Sequence, residues 1–177
     1  MPIQVIDIST NYQRNVTFVS PVYIDANFPI SFFYRQHPKY STVRDIWWEL
    51  LSQNVEIYIS TLTVDEFWHG LERELRIAQG TGQLLGPAVL TNIKVNIQNA
   101  TASILQLANV RPLPDSSVNP INTINSALDY YTQENLGPRD SFHLALAILS
   151  NSAGFITSDS DFDNISLPTA NLTIYKY

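Results

Sequence analysis

Short runs of β-branched and aromatic residues alternate along the chain with longer stretches whose apolar positions recur every three or four residues. Val22-Tyr23-Ile24 is a short apolar run of the kind that forms a buried strand, and a mixed segment, Asn27 to Arg35, follows it. Thr42 to Ser52, rich in Trp and Leu, predicts a helix. Val55 to Ile59 alternates as a second strand. Thr63 opens a helix that runs past Leu71 and Leu75 to Gln79, where Gly80, Gly82, Gly86 and Pro87 break it. From Ala88 to Ala108 the residues Val89, Ile93, Ile97, Ile104, Leu105 and Ala108 fall near helical spacing, with Asn and Gln on the other face, predicting a long amphipathic helix. Asn109 to Leu113 reads as a short strand before Pro114 and the polar loop Asp115 to Asn119. Ile124 to Tyr131 resumes a helical pattern, and Gly137-Pro138 resets the chain. Asp140 to Ser150, rich in Leu and Ala, is the clearest helix, and Gly154 ends it before the strand Phe155-Ile156-Thr157. Leu172 to Tyr175 supplies a last strand.

Strands and helices in alternation predict an α/β fold: a doubly wound, mostly parallel sheet with helices on both faces, because parallel neighbours need a crossover of roughly a dozen residues or more. The 177 residues fit one domain, 1–177. Within it, residues 1–20 read as an N-terminal extension, an added strand or hairpin built from the alternating Ile3, Val5, Ile6 and Ile8 and then Val16 to Val19. No signal-peptide pattern opens the chain, and no apolar run reaches the roughly 18 residues of a membrane span, which predicts a soluble, cytoplasmic protein with no membrane partner.

Composition narrows the chemistry. Ten Lys and Arg against sixteen Asp and Glu give a formal charge of -6, which excludes coating of nucleic acid by bulk electrostatics, so any such contact must be local. The absence of Cys excludes disulfides, thiolate metal sites and thiol nucleophiles. No phosphate-binding Gly-rich loop or dinucleotide fingerprint is present, which removes nucleotide kinases and dehydrogenases.

Acidic residues stand where strands hand over to helices, the place where a doubly wound sheet gathers its ligands. Asp25 follows the first buried strand, Glu66 lies in the first turn after the second, Asp140 starts the clearest helix, and Asp159 follows Phe155-Ile156-Thr157, with Asp161 two residues on. Each has a structural explanation. Thr63 to Glu66 reads as a capping box, Asp25 as a helix cap, Asp140 as a first-turn acid behind Pro138, and Asp159, Asp161 and Asp163 as a solvated turn without the spacing of a calcium loop. Together, however, clustered carboxylates raise one another's pKa values unless a cation compensates, and an oxygen-only set suits magnesium or manganese better than zinc.

Four segments in order carry a resemblance: Val22-Tyr23-Ile24-Asp25-Ala26-Asn27, Ile59 to Glu66, Leu136 to Ala147 and Phe155 to Phe162. They resemble the PIN-domain nucleases, whose bacterial members include the VapC-like ribonuclease toxins. The resemblance implies a PIN-like, Rossmann-like fold and a metal site of Asp25, Glu66, Asp140 and Asp159, with Asp161 as supplementary ligand and Asn27 and Thr157 as supporting polar residues. It further implies Mg2+ or Mn2+ as cofactor, metal-dependent hydrolysis of RNA phosphodiester bonds, and membership of a toxin-antitoxin pair. The implied partners are an RNA substrate and an antitoxin protein; a second copy of the chain is suggested by the adjacent Trp47 and Trp48. Two other readings compete: a noncatalytic protein-binding module on the same fold, and another metal-dependent phosphodiesterase or phosphatase.

RNA affinity would fall to Arg35, Lys39, Arg44, Arg73, Arg76 or Arg139. His143, on the Leu and Ala face of its helix, reads as a packed, hydrogen-bonded histidine ahead of a catalytic base. Trp47 and Trp48 point in different directions on any helix, which leaves one of them available to an interface.

Overall fold

The computed structural model describes residues 3–9, 16–80, 85–113, 118–167 and 170–177. Among them, strands β1 (Gln4–Asp7), β2 (Val22–Ile24), β3 (Ile57–Ile59), β4 (Val110–Pro112), β5 (Gly154–Thr157) and β6 (Thr173–Lys176) form one sheet in the order β1-β6-β5-β2-β3-β4. Every neighbouring pair is parallel. The helices are α1 (Asn27–Phe33), α2 (Tyr40–Ser52), α3 (Thr61–Ala78), α4 (Pro87–Leu105), α5 (Pro120–Gln133) and α6 (Pro138–Leu149), with a 3-10 turn over Ser160–Asn164.

Successive strand residues point to opposite faces and build two cores. Val22, Ile24, Ile57, Ile59, Ile156 and Tyr175 pack with Phe28 of α1, Ile46, Trp47 and Leu50 of α2, Phe67 and Leu71 of α3, and Ile104 of α4. Tyr23, Phe155 and Ile174 face the other way onto Leu144 and Ala147 of α6 and Phe162. Each such side chain, fully buried, contributes about 1.5 to 3 kcal/mol. The chain therefore leaves β2 over one face to reach β3, and reaches β5, on the other side of β2, over the opposite face. That reversal places a switch point at the carboxyl ends of β2 and β5, where ligands of such sheets bind.

Several expectations are corrected. The mixed segment from Asn27 is a helix, because Phe28 and Ile30 are buried against the core and Pro29 sits in the first turn, where its missing N–H is harmless. The N-terminal extension supplies an edge strand, β1, on β6, but no hairpin: Val16 to Val19 is not a strand. Side chains take over the backbone groups there, with Gln53 accepting from Phe18 N–H (2.9 Å) and donating to the Val16 carbonyl (2.7 Å), while Tyr175 Oη accepts from Val19 N–H (3.1 Å). The break expected at Gly82, the loop residues Pro114 and Asp115, and part of the extension lie outside the described residues. Trp47 is 2% exposed and Trp48 63%, so the pair divides as its helical spacing requires. No helix among the described residues is long and apolar enough to cross a membrane.

Candidate active site

Asp25 is the first residue after β2 and is buried. The β2–β5 register pairs Ile24 with Ile156, which sets Asp25 beside Thr157. Asp25 Oδ2 accepts the Thr157 hydroxyl at 2.5 Å, and Oδ1 accepts the Phe28 amide at 3.2 Å. Burial raises the Asp25 carboxyl above the usual range, while Thr157, His143 and the amides of Phe28 and Asn27 pull it back. The Asn27 side chain is exposed and makes no hydrogen bond among the described residues, so its support reaches Asp25 through the backbone.

The start of α3 differs from the capping box expected at Thr63. Ser60 is the cap: its hydroxyl accepts the Thr63 amide at 3.0 Å, and the Thr63 hydroxyl accepts the Ser60 amide at 3.4 Å. Glu66 therefore has no capping role. It turns toward α6, where Oε2 lies 3.1 Å from His143 Nε2 and Oε1 lies 3.3 Å from Arg139 Nε. The Arg139 approach lacks hydrogen-bond geometry, and Glu66 Oε1 is buried without a hydrogen-bond donor. Burial disfavours the charge on Glu66, but His143 and then Arg139 outweigh it and hold the carboxyl below its ordinary value.

Asp140 is the third residue of α6, behind the Gly137 cap and Pro138. Burial, followed by the charges of Asp159, Asp161 and Glu66, pushes its carboxyl up to about 6, with His143 opposing. A Cβ on Gly137 would lie 2.8 Å from Asp140 Oδ2, so the absent side chain leaves the carboxylate its place. Asp159 follows β5, caps the 3-10 turn through the Asp161 amide (3.0 Å) and donates its own amide to the Thr157 hydroxyl (3.0 Å). Asp161 is exposed.

The sequence reading missed two contributors. Lys176, at the end of β6 in register with Thr157, contacts the Asp159 carbonyl and pairs with Asp163 at 3.0 Å. Tyr23 places its hydroxyl 2.8 Å from His143 Nδ1, 2.7 Å from Ser60 Oγ and 3.0 Å from Thr63 Oγ1. The only sequence signal for Tyr23 is a polar tip on an otherwise apolar buried strand.

Among the described residues, no group of three or more His, Asp or Glu side chains is drawn together tightly enough to hold an ion. The donor chemistry nevertheless fits a hard divalent cation: all ligating atoms are oxygens, Glu66 Oε1 is buried with no donor, and Asp140 feels three neighbouring carboxylates. Two apolar cavities, of about 440 and 520 Å³, lie elsewhere, one against Phe142 and Ile124 and the other against Trp68 and Leu105.

The fold is a parallel α/β sheet whose switch point lies beside Asp25 and Asp159. The PIN domain family model matches residues 22–167, and the chain belongs to the PIN-domain family. Among solved structures it is similar to VapC20 of Mycobacterium tuberculosis, a Sarcin-Ricin loop cleaving toxin, with 14% identity over 80% of this chain and 92% of that one and a TM-score of 0.54. It is also similar to VapBC2 of Rickettsia felis bound to a DNA fragment from its promoter, with 16% identity, 88% and 98% covered, and a TM-score of 0.54. No curated protein matches the sequence.

Proposed function

We propose that this chain is a metal-dependent endoribonuclease that hydrolyses RNA phosphodiester bonds and serves as the toxin of a toxin-antitoxin pair. The observation that supports it is the state of Asp140, held up to about 6 by burial and by Asp159, Asp161 and Glu66. Carboxylates that raise one another in this way gain most from a shared cation. Asp25, Glu66, Asp140 and Asp159, with Asp161 supplementary, would hold Mg2+ or Mn2+, which when bound supplies a Lewis acid for the phosphate and a lowered pKa for a water nucleophile. Thr157 and the Phe28 amide fix Asp25, Gly137 leaves room for Asp140, and Arg139 offers an exposed guanidinium to the RNA backbone.

A cytoplasmic location accords with an RNA substrate. A partner, whether an antitoxin or a second copy, has apolar surface to cover: Ile121, Ile124, Leu128 and Tyr131 form an exposed stripe along α5, and Trp68 is exposed on α3. The structural neighbours' names add support, since one is a Sarcin-Ricin loop cleaving toxin.

The test is cleavage of a mixed structured RNA pool by wild type and Asp140→Asn, with added manganese or magnesium and with chelator. Cutting should require both the metal and Asp140. A variant that cuts at the wild-type rate would end the assignment, and an absence of any metal response would favour the noncatalytic module.

A further inference from the structure

We propose that His143 is a positioning residue, which holds the Glu66 carboxylate in the site through a directed chain of hydrogen bonds beginning at Ser60. The inference rests on the metal-site reading above for its effect on metal binding, but its geometry stands independently.

The proton positions follow from counting donors and acceptors. The Thr63 hydroxyl gives its proton to the Ile24 carbonyl at 3.1 Å and so has none for Tyr23. The Ser60 hydroxyl, already accepting the Thr63 amide, lies 2.7 Å from Tyr23 Oη and 3.0 Å from Thr63 Oγ1, and the shorter contact takes its proton. Tyr23 then donates to His143 Nδ1 at 2.8 Å. A carboxylate only accepts, so a ring with one proton carries it on Nε2, which donates to Glu66 Oε2 at 3.1 Å and leaves Nδ1 to accept from Tyr23. Every member except Glu66 is nearly fully buried, so the chain has no water to exchange with. Ser60 and Thr63 open α3, Tyr23 lies in β2 and His143 in α6. The relay thus ties the element that carries Glu66 to the strand that ends at Asp25 and the helix that carries Asp140. Outer-shell groups of this kind orient ligands, and their loss lowers metal affinity by about 10- to 100-fold.

The experiment has two readouts on the full chain. Long-range proton–nitrogen correlation spectra of nitrogen-labelled wild type, recorded in chelator, report the His143 tautomer: the Nε2–H form supports the relay, and the Nδ1–H form overturns it whatever becomes of the metal site. Manganese affinity is then read by water-proton relaxation for wild type, His143→Gln and His143→Asn. Gln can restore a donor at the Nε2 position, whereas Asn reaches only toward Tyr23. His143→Gln should stay within about threefold of wild type and His143→Asn should weaken by about tenfold or more, while their melting temperatures in chelator agree. Equal affinities for the two variants, or losses that simply follow their melting temperatures, would overturn the positioning role. Wild type that shows the Nε2–H form but binds no manganese would refute the metal-site reading and leave the His143–Glu66 link in place.

Discussion

Thr157 and Asp25 are joined by a 2.5 Å hydrogen bond across β5 and β2, and the hydroxyl that donates it also accepts the Asp159 amide at 3.0 Å. One side chain therefore fixes two of the four acids. Thr157→Val keeps the shape and the branching at Cβ but leaves Asp25 Oδ2 buried without a donor, at a cost of about 1 to 3 kcal/mol. The Asp25 carboxyl, already raised by burial, should rise further in the variant. The deficit is then full where the pH lies above the variant's folded pKa, shrinks as the pH falls below it, and is gone below the wild-type folded pKa. Urea unfolding at about pH 8 and about pH 4 checks this. An equal deficit at both would mean that the bond does not serve the charged form.

Asp140 has the opposite relation to stability from a paired acid. Its carboxyl is at about 6 in the folded chain against an ordinary 3.8, so the native state holds the proton more tightly than the unfolded state. Stability contributed at this position is present below about pH 4 and is lost as the pH rises toward about 6. Asp140→Asn should accordingly melt above wild type in chelator at about pH 8 and match it at about pH 4. The side chain is half-buried, so the gain is on the order of 1 kcal/mol after solvent screening. Added manganese should stabilise wild type and not the variant. Calorimetry with and without metal provides the measurement.

The acids were legible because the signals around them are local. Val22 to Ile24 is short and apolar, and Gly137-Pro138 marks a helix start, so Asp25 and Asp140 could be assigned to strand and helix ends from the chain alone. The cap of α3 was not legible, since Ser60–Thr63 and Thr63–Glu66 are overlapping boxes of the same spacing. The Tyr23 hydroxyl, which reaches both Ser60 and Thr63, settles which one forms. The link from Tyr23 to His143 spans 120 residues and leaves no periodic trace. Val16 to Val19 has the composition of a strand, but Gln53 and Tyr175 occupy its backbone groups.

Gly137→Ala tests the position of Asp140 without touching its charge. The glycine has φ -60° and ψ 157°, which alanine adopts freely, so the backbone should not object. The added methyl meets Asp140 Oδ2 at 2.8 Å and must displace it. Stability should fall by less than about 1 kcal/mol, the scale of a poorer helix cap. Cleavage should fall by about tenfold to a hundredfold, because a small displacement of a positioned group is enough to lose that much. Single-turnover cleavage set beside thermal melts separates the two effects. Full activity would show that Asp140 need not occupy this position.

On the proposed function, Arg139 is the cation placed beside the acidic residues to meet a polyanion. Of the basic residues available for RNA, Arg44, Arg73 and Arg76 pair with Asp45, Glu74 and Glu72, Lys39 donates to the Tyr177 carbonyl, and Arg35 is exposed with no ion pair among the described residues. Arg139 instead stands beside Glu66 with its side chain 69% exposed, next in sequence to Asp140. The pair itself adds little stability, since exposed ion pairs are worth about 0 to 1 kcal/mol, so Arg139→Gln should melt like wild type. If the guanidinium contacts a phosphate, the variant should bind single-stranded RNA more weakly, and the slope of log affinity against log salt should flatten by about 0.7, the value for one contact. Glu66 also loses a cation, so its carboxyl should move back toward the ordinary range. Fluorescence anisotropy across a salt series, in an Asp140→Asn background that leaves the RNA uncut, measures the slope. A slope unchanged by the substitution would limit Arg139 to neutralising Glu66 and move the RNA path to another face.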